Sequence, residues 1–457
     1  MKRALALAVA GAVAFGAATA QAQEKITVWF TKAFYPSEDK ALQDAIAKFK
    51  ARTGVAVELS LFSPEDVVTK SASAVEAGTP PDVGFGLTYD FRVTGKWAFE
   101  GKLEDISDVI EPLKGQYLEG PLSTTFLMNG KANKKAYYAA PVELQLMHMN
   151  YWIDMVQDAG FQESDIPDDW RGFWDFWCDK VQGALRKKGQ RVFGVGHPAS
   201  IRASDTVYSF SMFMNAYNVQ TIDDEGKLVL DQPANKAGFA KAIADYASIV
   251  SRGCSPASSV NWTDVDNNLN FANKTTVLTH NASISIPAAQ FDAMNKAETT
   301  AEQKENARRN YYEKIRTRGF PDKPDGGKLP QLAAVKTAVI FADARNKKRA
   351  KEFLAIFLAE ENLQPYVEGS LGRWVPVTKK AIQSPFWTDG QDPHRAAVIK
   401  QLNDGTVYFP FTKNWKFTVV NAENVWGRAT ARVAKEGVKP DVAAEDAIKR
   451  IKEILAQ

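Results

Sequence analysis

Apolar positions along the chain alternate between two spacings. The run Glu24-Lys25-Ile26-Thr27-Val28-Trp29-Phe30 is apolar at nearly every position, which predicts a strand buried on both faces. Ser37 stands where a helix cap belongs, Glu38 and Asp39 fill the first turn, and Leu42, Ile46 and Phe49 recur at helical spacing before Gly54. Val55, Val57 and Leu59 alternate as a second strand. Ser63-Pro64-Glu65-Asp66 combines cap, first-turn proline and N3 carboxylate, so a second helix starts there and stops at Gly78. Thr79-Pro80-Pro81-Asp82 then turns the chain into a third strand at Val83-Gly84-Phe85. This β-α-β-α-β opening predicts an α/β fold with a mainly parallel sheet covered by helices.

Later segments keep the helical spacing without repeating a unit. Asp168-Asp169 opens a helix whose Trp170, Phe173, Trp174, Trp177 and Val181 share one stripe, so these indoles are assigned to core. Phe239, Ile243, Tyr246 and Val250 form another stripe, Phe353, Leu354, Phe357 and Leu358 a third, and Ile448, Ile451 and Leu455 a C-terminal one. Residues 297–318 are highly charged and read as a surface helix, and 319–330, rich in Gly, Pro, Asp and Lys, as a loop.

The N-terminus adds a compartment. Lys2 and Arg3, a weakly apolar run over 4–15 and small residues offering A-x-A cuts after Ala20 or Ala22 read as a secretory signal, residues 1–22. No cysteine follows the run to carry a lipid anchor, so the expected location is periplasmic and free. Cys178 and Cys254 are the only thiols; an even count in an exported chain favours a disulfide, with two separate buried thiols as the alternative. The formal charge of +3 offers little field for nucleic acid.

Catalytic patterns are missing. The chain has no G-x-S-x-G elbow, P-loop or H-E-x-x-H. Gly194-Val195-Gly196-His197-Pro198-Ala199 begins like a dinucleotide loop but lacks the third glycine, and the pairs Tyr137-Tyr138 and Tyr311-Tyr312 are read as packing before iron ligation. No catalytic residue, metal ligand or cofactor is assigned, and the expectation is a protein that is not an enzyme.

Several segments, in order over nearly the whole mature chain, resemble the extracellular solute-binding proteins of bacterial ABC importers, specifically family 1, the carbohydrate-binding group related to maltose-binding protein. Phe49-Lys50-Ala51-Arg52-Thr53-Gly54-Val55 looks like that family's F-x-x-x-T-G exit, Ala77-Gly78-Thr79-Pro80-Pro81-Asp82-Val83 like its A-G-x-x-P-D-V turn. Pro141 through Met149-Asn150-Tyr151 is similar to its crossing strand, Ile166-Pro167-Asp168-Asp169-Trp170 to P-x-T-W, and Gly369-Ser370-Leu371-Gly372-Arg373-Trp374-Val375-Pro376 to its late G-x-x-P segment. Phe271-Ala272-Asn273-Lys274-Thr275-Thr276-Val277 and His280-Asn281-Ala282 depart from the family pattern. The resemblance implies a two-lobed periplasmic-binding-protein fold of type II with a ligand cleft between hinged lobes. Lobe 1 would comprise 24–142 and 315–358, lobe 2 residues 143–314 and 359–457. It also implies a monomer that captures a mono- or oligosaccharide by cleft closure and delivers it to ABC transporter permease subunits. The same scaffold with a non-sugar solute (glycerol phosphate, a polyol or a metal) is the alternative, and a secreted carbohydrate-active enzyme a more distant one.

A sugar presents apolar C–H faces and a rim of hydroxyls, so its site needs flat aromatics and polar side chains past strand ends. The geometric candidates are Phe34 and Tyr35 after the first strand, Phe62 after the second, and Tyr89 and Asp90 after the third. Trp262, on no helical stripe, is a candidate platform, joined by Asn281. By the resemblance, Glu143 takes the place of a hydroxyl-binding carboxylate, and Arg373 and Trp374 lie in a loop brought to the cleft.

Overall fold

The computed structural model describes residues 24–457; the expected signal segment lies outside them. The opening pattern folds as anticipated. Strand β1 (Lys25–Thr31) pairs in parallel with β2 (Ala56–Phe62) and β3 (Val83–Gly86), and helices α1 (Pro36–Thr53) and α2 (Pro64–Glu76) connect them. Ser63 caps α2 by accepting the Asp66 amide at 3.1 Å. Ser37 is not a cap: α1 begins one residue earlier, Tyr35 is its N-cap, and the Ser37 hydroxyl donates to the Gly369 carbonyl.

Ten further strands follow in chain order: β4 (Phe126–Asn129), β5 (Lys134–Tyr137), β6 (Ala140–Leu146), β7 (His148–Trp152), β8 (Phe193–Gly196), β9 (Thr276–Asn281), β10 (Ile315–Arg318), β11 (Gln331–Ile340), β12 (Val375–Pro376) and β13 (Thr406–Tyr408). Seven strands form the larger sheet, ordered β12-β6-β11-β3-β1-β2 with β13 beside β11. Its β11–β3, β11–β6 and β12–β6 pairs are antiparallel, so the sheet is mixed rather than mainly parallel. The smaller sheet is ordered β10-β7-β9-β8, and β4–β5 is a separate hairpin. Each large sheet backs its own apolar core. Ile26, Val28, Phe30, Phe49, Phe353 and Phe357 belong to one; Trp170, Phe173, Trp177, Phe239, Ile243 and Tyr246 belong to the other.

The chain passes from the larger to the smaller sheet at Met147, between β6 and β7, and back through 319–330, between β10 and β11. These crossings do not follow the expected segment boundaries. β10, from a stretch assigned to lobe 1, pairs with β7 in the smaller sheet, while β12 and β13, from a stretch assigned to lobe 2, join the larger one. The charged stretch 297–318 is likewise not one surface helix. Helix Ala301–Arg309 passes through a π-helical turn into β10, because Ile315 is fully buried and Tyr311 reaches inward to Asp392.

The indole stripe on 170–181 is core, as its spacing requires, and Asp169 caps that helix by accepting the Gly172 amide at 2.7 Å. Cys178, on the same stretch, is bonded to Cys254 beyond helix Pro233–Ser251, with 4.9 Å between Cα atoms. Gly194 explains the dinucleotide-like sequence: it lies in β8, where an added Cβ would sit 2.3 Å from the Trp177 carbonyl oxygen. The glycine is there for close packing.

The disulfide bridges residues 76 apart in sequence. Cys178→Ser with Cys254→Ser should therefore lower unfolding free energy by about 2–4 kcal/mol through the gain in unfolded-chain entropy. Urea unfolding of the double variant against the oxidised protein measures it, and equal midpoints would contradict the assignment.

Candidate functional site

Glu143 lies on β6 between two neighbours, with Lys336 of β11 opposite on one side and Pro376 of β12 on the other. Antiparallel partners project to the same face, so Lys336 and Glu143 share a face, and the β6–β11 register shifts immediately after Lys336. Both side chains are wholly buried. Lys336 nonetheless does not bond Glu143. Its Nζ donates to the Asp90 carboxylate at 3.2 and 3.3 Å and to the Tyr208 hydroxyl at 2.8 Å. Neither Glu143 oxygen has a hydrogen-bond partner. Burial pushes this carboxyl well above the usual carboxylate range; nearby Glu38 pushes the same way, against Lys336 and Arg373.

Glu38 enters from the first turn of α1. Its carboxylate accepts the Phe34 and Tyr35 amides at 3.1 and 3.0 Å and the Trp374 indole N–H at 3.0 Å. Burial pushes its pKa up to about 7, against the lowering effect of the Tyr35 amide and Arg373. Burial also raises the Tyr35 phenol to about 12. The Arg373 guanidinium lies 3.3 Å from the centre of the Phe34 ring and 4.9 Å from that of Trp374, and its Nε has no partner. Phe34 is 43% exposed and covers this cation from outside.

The smaller-sheet side supplies a polar row. Asp205, at the start of helix Ser204–Ala216, is buried; its amide donates to Asp264 at 3.0 Å and its carboxylate accepts from Asn267 at 3.3 Å. Burial, and then the Asp264 charge, holds the Asp205 carboxyl well above its usual range. Asn267 also donates to Asn281 Oδ1 at 3.0 Å and to the His280 carbonyl, and its own Oδ1 has no partner. Tyr208, one helical turn beyond Asp205, reaches Lys336 on the larger sheet. Arg373 is linked electrostatically to Tyr35 and Glu38 on one side and to Asp205 on the other. Groups from both sheets therefore converge around an unsatisfied carboxylate.

Of the sequence candidates, Tyr35, Asp90, Glu143, Arg373 and Trp374 join this convergence, Phe34 roofs it, and Asn281 forms part of the polar row. Trp374 is no open platform, being buried with its N–H on Glu38. Trp262 is buried yet belongs to none of the apolar cores, and its N–H donates to Ser258 at 3.2 Å. Phe62 packs edge-on to Trp29 at the end of β2. Tyr89 lies in a core with Trp97 and Phe341, its hydroxyl on Ser71, and is not brought to the group. Glu38, Lys336, Asp205, Tyr208 and Asn267 were not singled out from sequence. Only Glu38 carried a local signal, its place in the first turn of α1.

A surface cavity of about 780 Å³, lined by Trp170, Trp174, Tyr217 and Asp245 among others, shares no residue with this group. Its principal polar groups are satisfied within the protein: Asp245 accepts from Trp170 and Tyr217, and Arg252 pairs with Asp175 and Asp179. The contrast with Glu143 favours the convergence between the sheets as the site. Among the described residues, no three His, Cys, Asp or Glu gather to hold a metal ion, and no helix is long and apolar enough to cross a membrane.

A family model described as bacterial extracellular solute-binding protein matches residues 44–397. The chain belongs to that family. Solved structures resemble it over nearly its full length. A solute-binding protein from Thermotoga lettingae TMO bound with alpha-D-tagatose is 18% identical with a TM-score of 0.73, covering 95% of this chain and 100% of the other. Maltose-bound MalE3 of T. maritima is 18% identical with a TM-score of 0.71, covering 94% and 99%. A sugar transporter from Arthrobacter chlorophenolicus A6 with bound laminaribiose is 16% identical with a TM-score of 0.72, again covering 94% and 99%. No curated protein sequence matches the chain. In this solute-binding protein the two sheets are the two lobes of an α/β periplasmic-binding-protein fold, and Glu143 lies where they meet.

All four histidines of this chain are buried. Burial lowers His148 and His280 to about 3 and His394 to about 4, and holds His197 well below its usual range. The folded chain thus keeps them neutral at pH values where the unfolded chain protonates them. Each costs stability as pH falls below about 6.5, by up to about 1.4 kcal/mol per pH unit until the folded group itself titrates. Comparing His148→Gln with the parent by urea unfolding between pH 7 and 4 isolates one such contribution. The stability difference should move in favour of the variant by about that slope; a pH-independent difference would refute it.

Proposed function

We propose that the protein is the periplasmic substrate-binding component of an ABC importer, and that it captures a sugar or oligosaccharide by closing its lobes and presents it to the membrane permease. The observation that carries this reading is Glu143, fully buried between the lobes with both carboxylate oxygens unpartnered. A buried carboxylate without donors costs several kcal/mol, and ligand hydroxyls are the donors that the arrangement lacks. Asp205, Asn267 and Arg373 offer further acceptors and donors around it, and Trp262 a ring outside the apolar cores. The three structural neighbours carry tagatose, maltose and laminaribiose, which agrees with this ligand class.

The hinge follows from the chain path. We place it at Met147 and within 319–330, where the backbone crosses between sheets, and after β13, where the chain leaves the larger sheet for the other core at Phe409 and Phe417. The lobes are then the two sheets with their cores, a division that moves β10 to the second lobe and β12 and β13 to the first. We read the protein as an exported monomer whose signal is removed after Ala20 or Ala22, and as a carrier without catalysis. The preponderance of carboxylates over free cations around Glu143 disfavours glycerol phosphate, the anionic alternative.

A thermal-shift panel of mono- and oligosaccharides should find a stabilising ligand, and calorimetry should show Trp262→Ala weakening it by about 1–3 kcal/mol if the indole stacks on the sugar. Unchanged affinity removes Trp262 from the site. Stabilisation by glycerol phosphate with none by any sugar would replace the proposed ligand class, and release of hydrolysis products from a bound oligosaccharide would make the protein an enzyme.

A further inference from the structure

We infer that the group bound at Glu143 is a cation: the ligand is a saccharide carrying a free amino group. The inference rests on the sugar-binding reading above and narrows it to one chemical class.

Lys336 stands opposite Glu143 across β6 and β11, but it is consumed by Asp90 and Tyr208. Arg373, from the loop after helix Glu360–Glu368, faces Glu38 on α1 and Asp205 on the other lobe. Asp205 adjoins Asp264, which already takes its amide and the Ser204 hydroxyl. Arg92 adds positive potential at Lys336 and Tyr208. The five carboxylates of Asp90, Glu38, Glu143, Asp205 and Asp264 therefore meet three cations, Lys336, Arg92 and Arg373. Lys336 is ion-paired with Asp90, and neither it nor Arg373 bonds Glu143. Glu143 feels Lys336 and Arg373 without bonding either, and it is the acid whose two oxygens are left without donors.

A hydroxyl supplies one donor and no charge. An ammonium supplies three donors and a positive charge in direct contact, and charge-assisted bonds to a buried carboxylate are about twice as strong as neutral ones. A phosphate ester or sugar acid would bring an anion into an enclosure whose five carboxyl groups already outnumber its three cations and whose Glu143 and Asp205 already resist losing their protons. The site thus ranks ligands amino sugar, neutral sugar, acidic sugar.

The test uses matched pairs on the full mature chain by calorimetry at pH 7: glucosamine against glucose, galactosamine against galactose, and chitobiose with free amines against cellobiose, with glucose 6-phosphate as the anionic probe. At least one amine should bind about tenfold or more tightly than its neutral partner, the gain expected of a hydrogen-bonded charge, and Glu143→Gln should abolish the preference. Neutral members binding as well as or better than amines would overturn the inference while leaving the sugar reading intact; no binding by any saccharide would overturn both. A second measurement needs no ligand. Glu143→Gln replaces the unpaired acid by a neutral isostere, and an acid whose folded form holds its proton more tightly loses stability as pH rises. The melting temperature of the variant should therefore gain on that of the parent steadily from pH 5 to pH 8. A constant or shrinking gap would show that Glu143 has its counter-ion and would overturn the inference.

Discussion

Burying one carboxylate without a partner is the constraint on which the centre of this molecule is organised. Glu143 sits in the middle of a strand whose neighbours β11 and β12 leave it no access to water. Such a residue costs several kcal/mol, and the fold tolerates it because the surrounding framework is over-determined. The larger sheet is paired on both sides of β6, and helices carrying Phe49, Phe353 and Phe357 pack against it. The register shift after Lys336 belongs to the same arrangement: it follows the residue whose ammonium is committed to Asp90 and Tyr208 rather than to the acid beside it.

Glu38 shows how the second carboxylate earns its burial differently. Both its oxygens accept from backbone or indole donors, and those bonds tie the N-terminus of α1 to the distant 369–374 segment. Gly369 makes that contact feasible, since a Cβ there would lie 2.9 Å from the Glu38 amide nitrogen. The Ser37 hydroxyl bonds the carbonyl of the same glycine. The loop that carries Arg373 is thus anchored on two sides before any ligand arrives. One buried acid is structural and satisfied, the other unsatisfied, and they differ only in whether donors were supplied by the chain.

Local patterns carried the elements well and the site only partly. Period-two and helical spacings located β1, α1, β2, α2 and β3, and the indole stripe on 170–181, because those signals are written within a few residues of each other. They could not locate β10, whose charged sequence resembles the helix before it and whose strand state is set by pairing with β7. Glu143, Arg373 and Trp374 were reached through family resemblance, and Asp90 by its place after a strand end. Lys336, Asp205 and Tyr208 were not legible, since a lysine in an apolar strand or an acid in a helix start gains meaning only from its partner. Lys336 finds Asp90 across 246 residues and Trp374 finds Glu38 across 336. Tyr89 fails for the converse reason: its strand-end position is right, but Ser71 and the Trp97 and Phe341 rings draw it into the core.

The two lobes meet through a contact that is itself polar at its heart. Tyr208, from the lobe with the smaller sheet, does more than fill an apolar seam: its hydroxyl accepts from Lys336, and its ring lies against Phe91 and Phe409. Opening the cleft would hydrate Lys336 and Glu143 together, whereas closing it over nothing strands Glu143 in a dry enclosure. Closing it over a ligand with donors does not. A ligand shifts a hinge equilibrium only by its differential affinity for the two states, and an unsatisfied acid sealed by closure is a direct source of that difference. On the proposed function, the residue that meets the ligand and the residue that penalises empty closure are the same, so recognition and conformational signalling need no separate machinery in this fold.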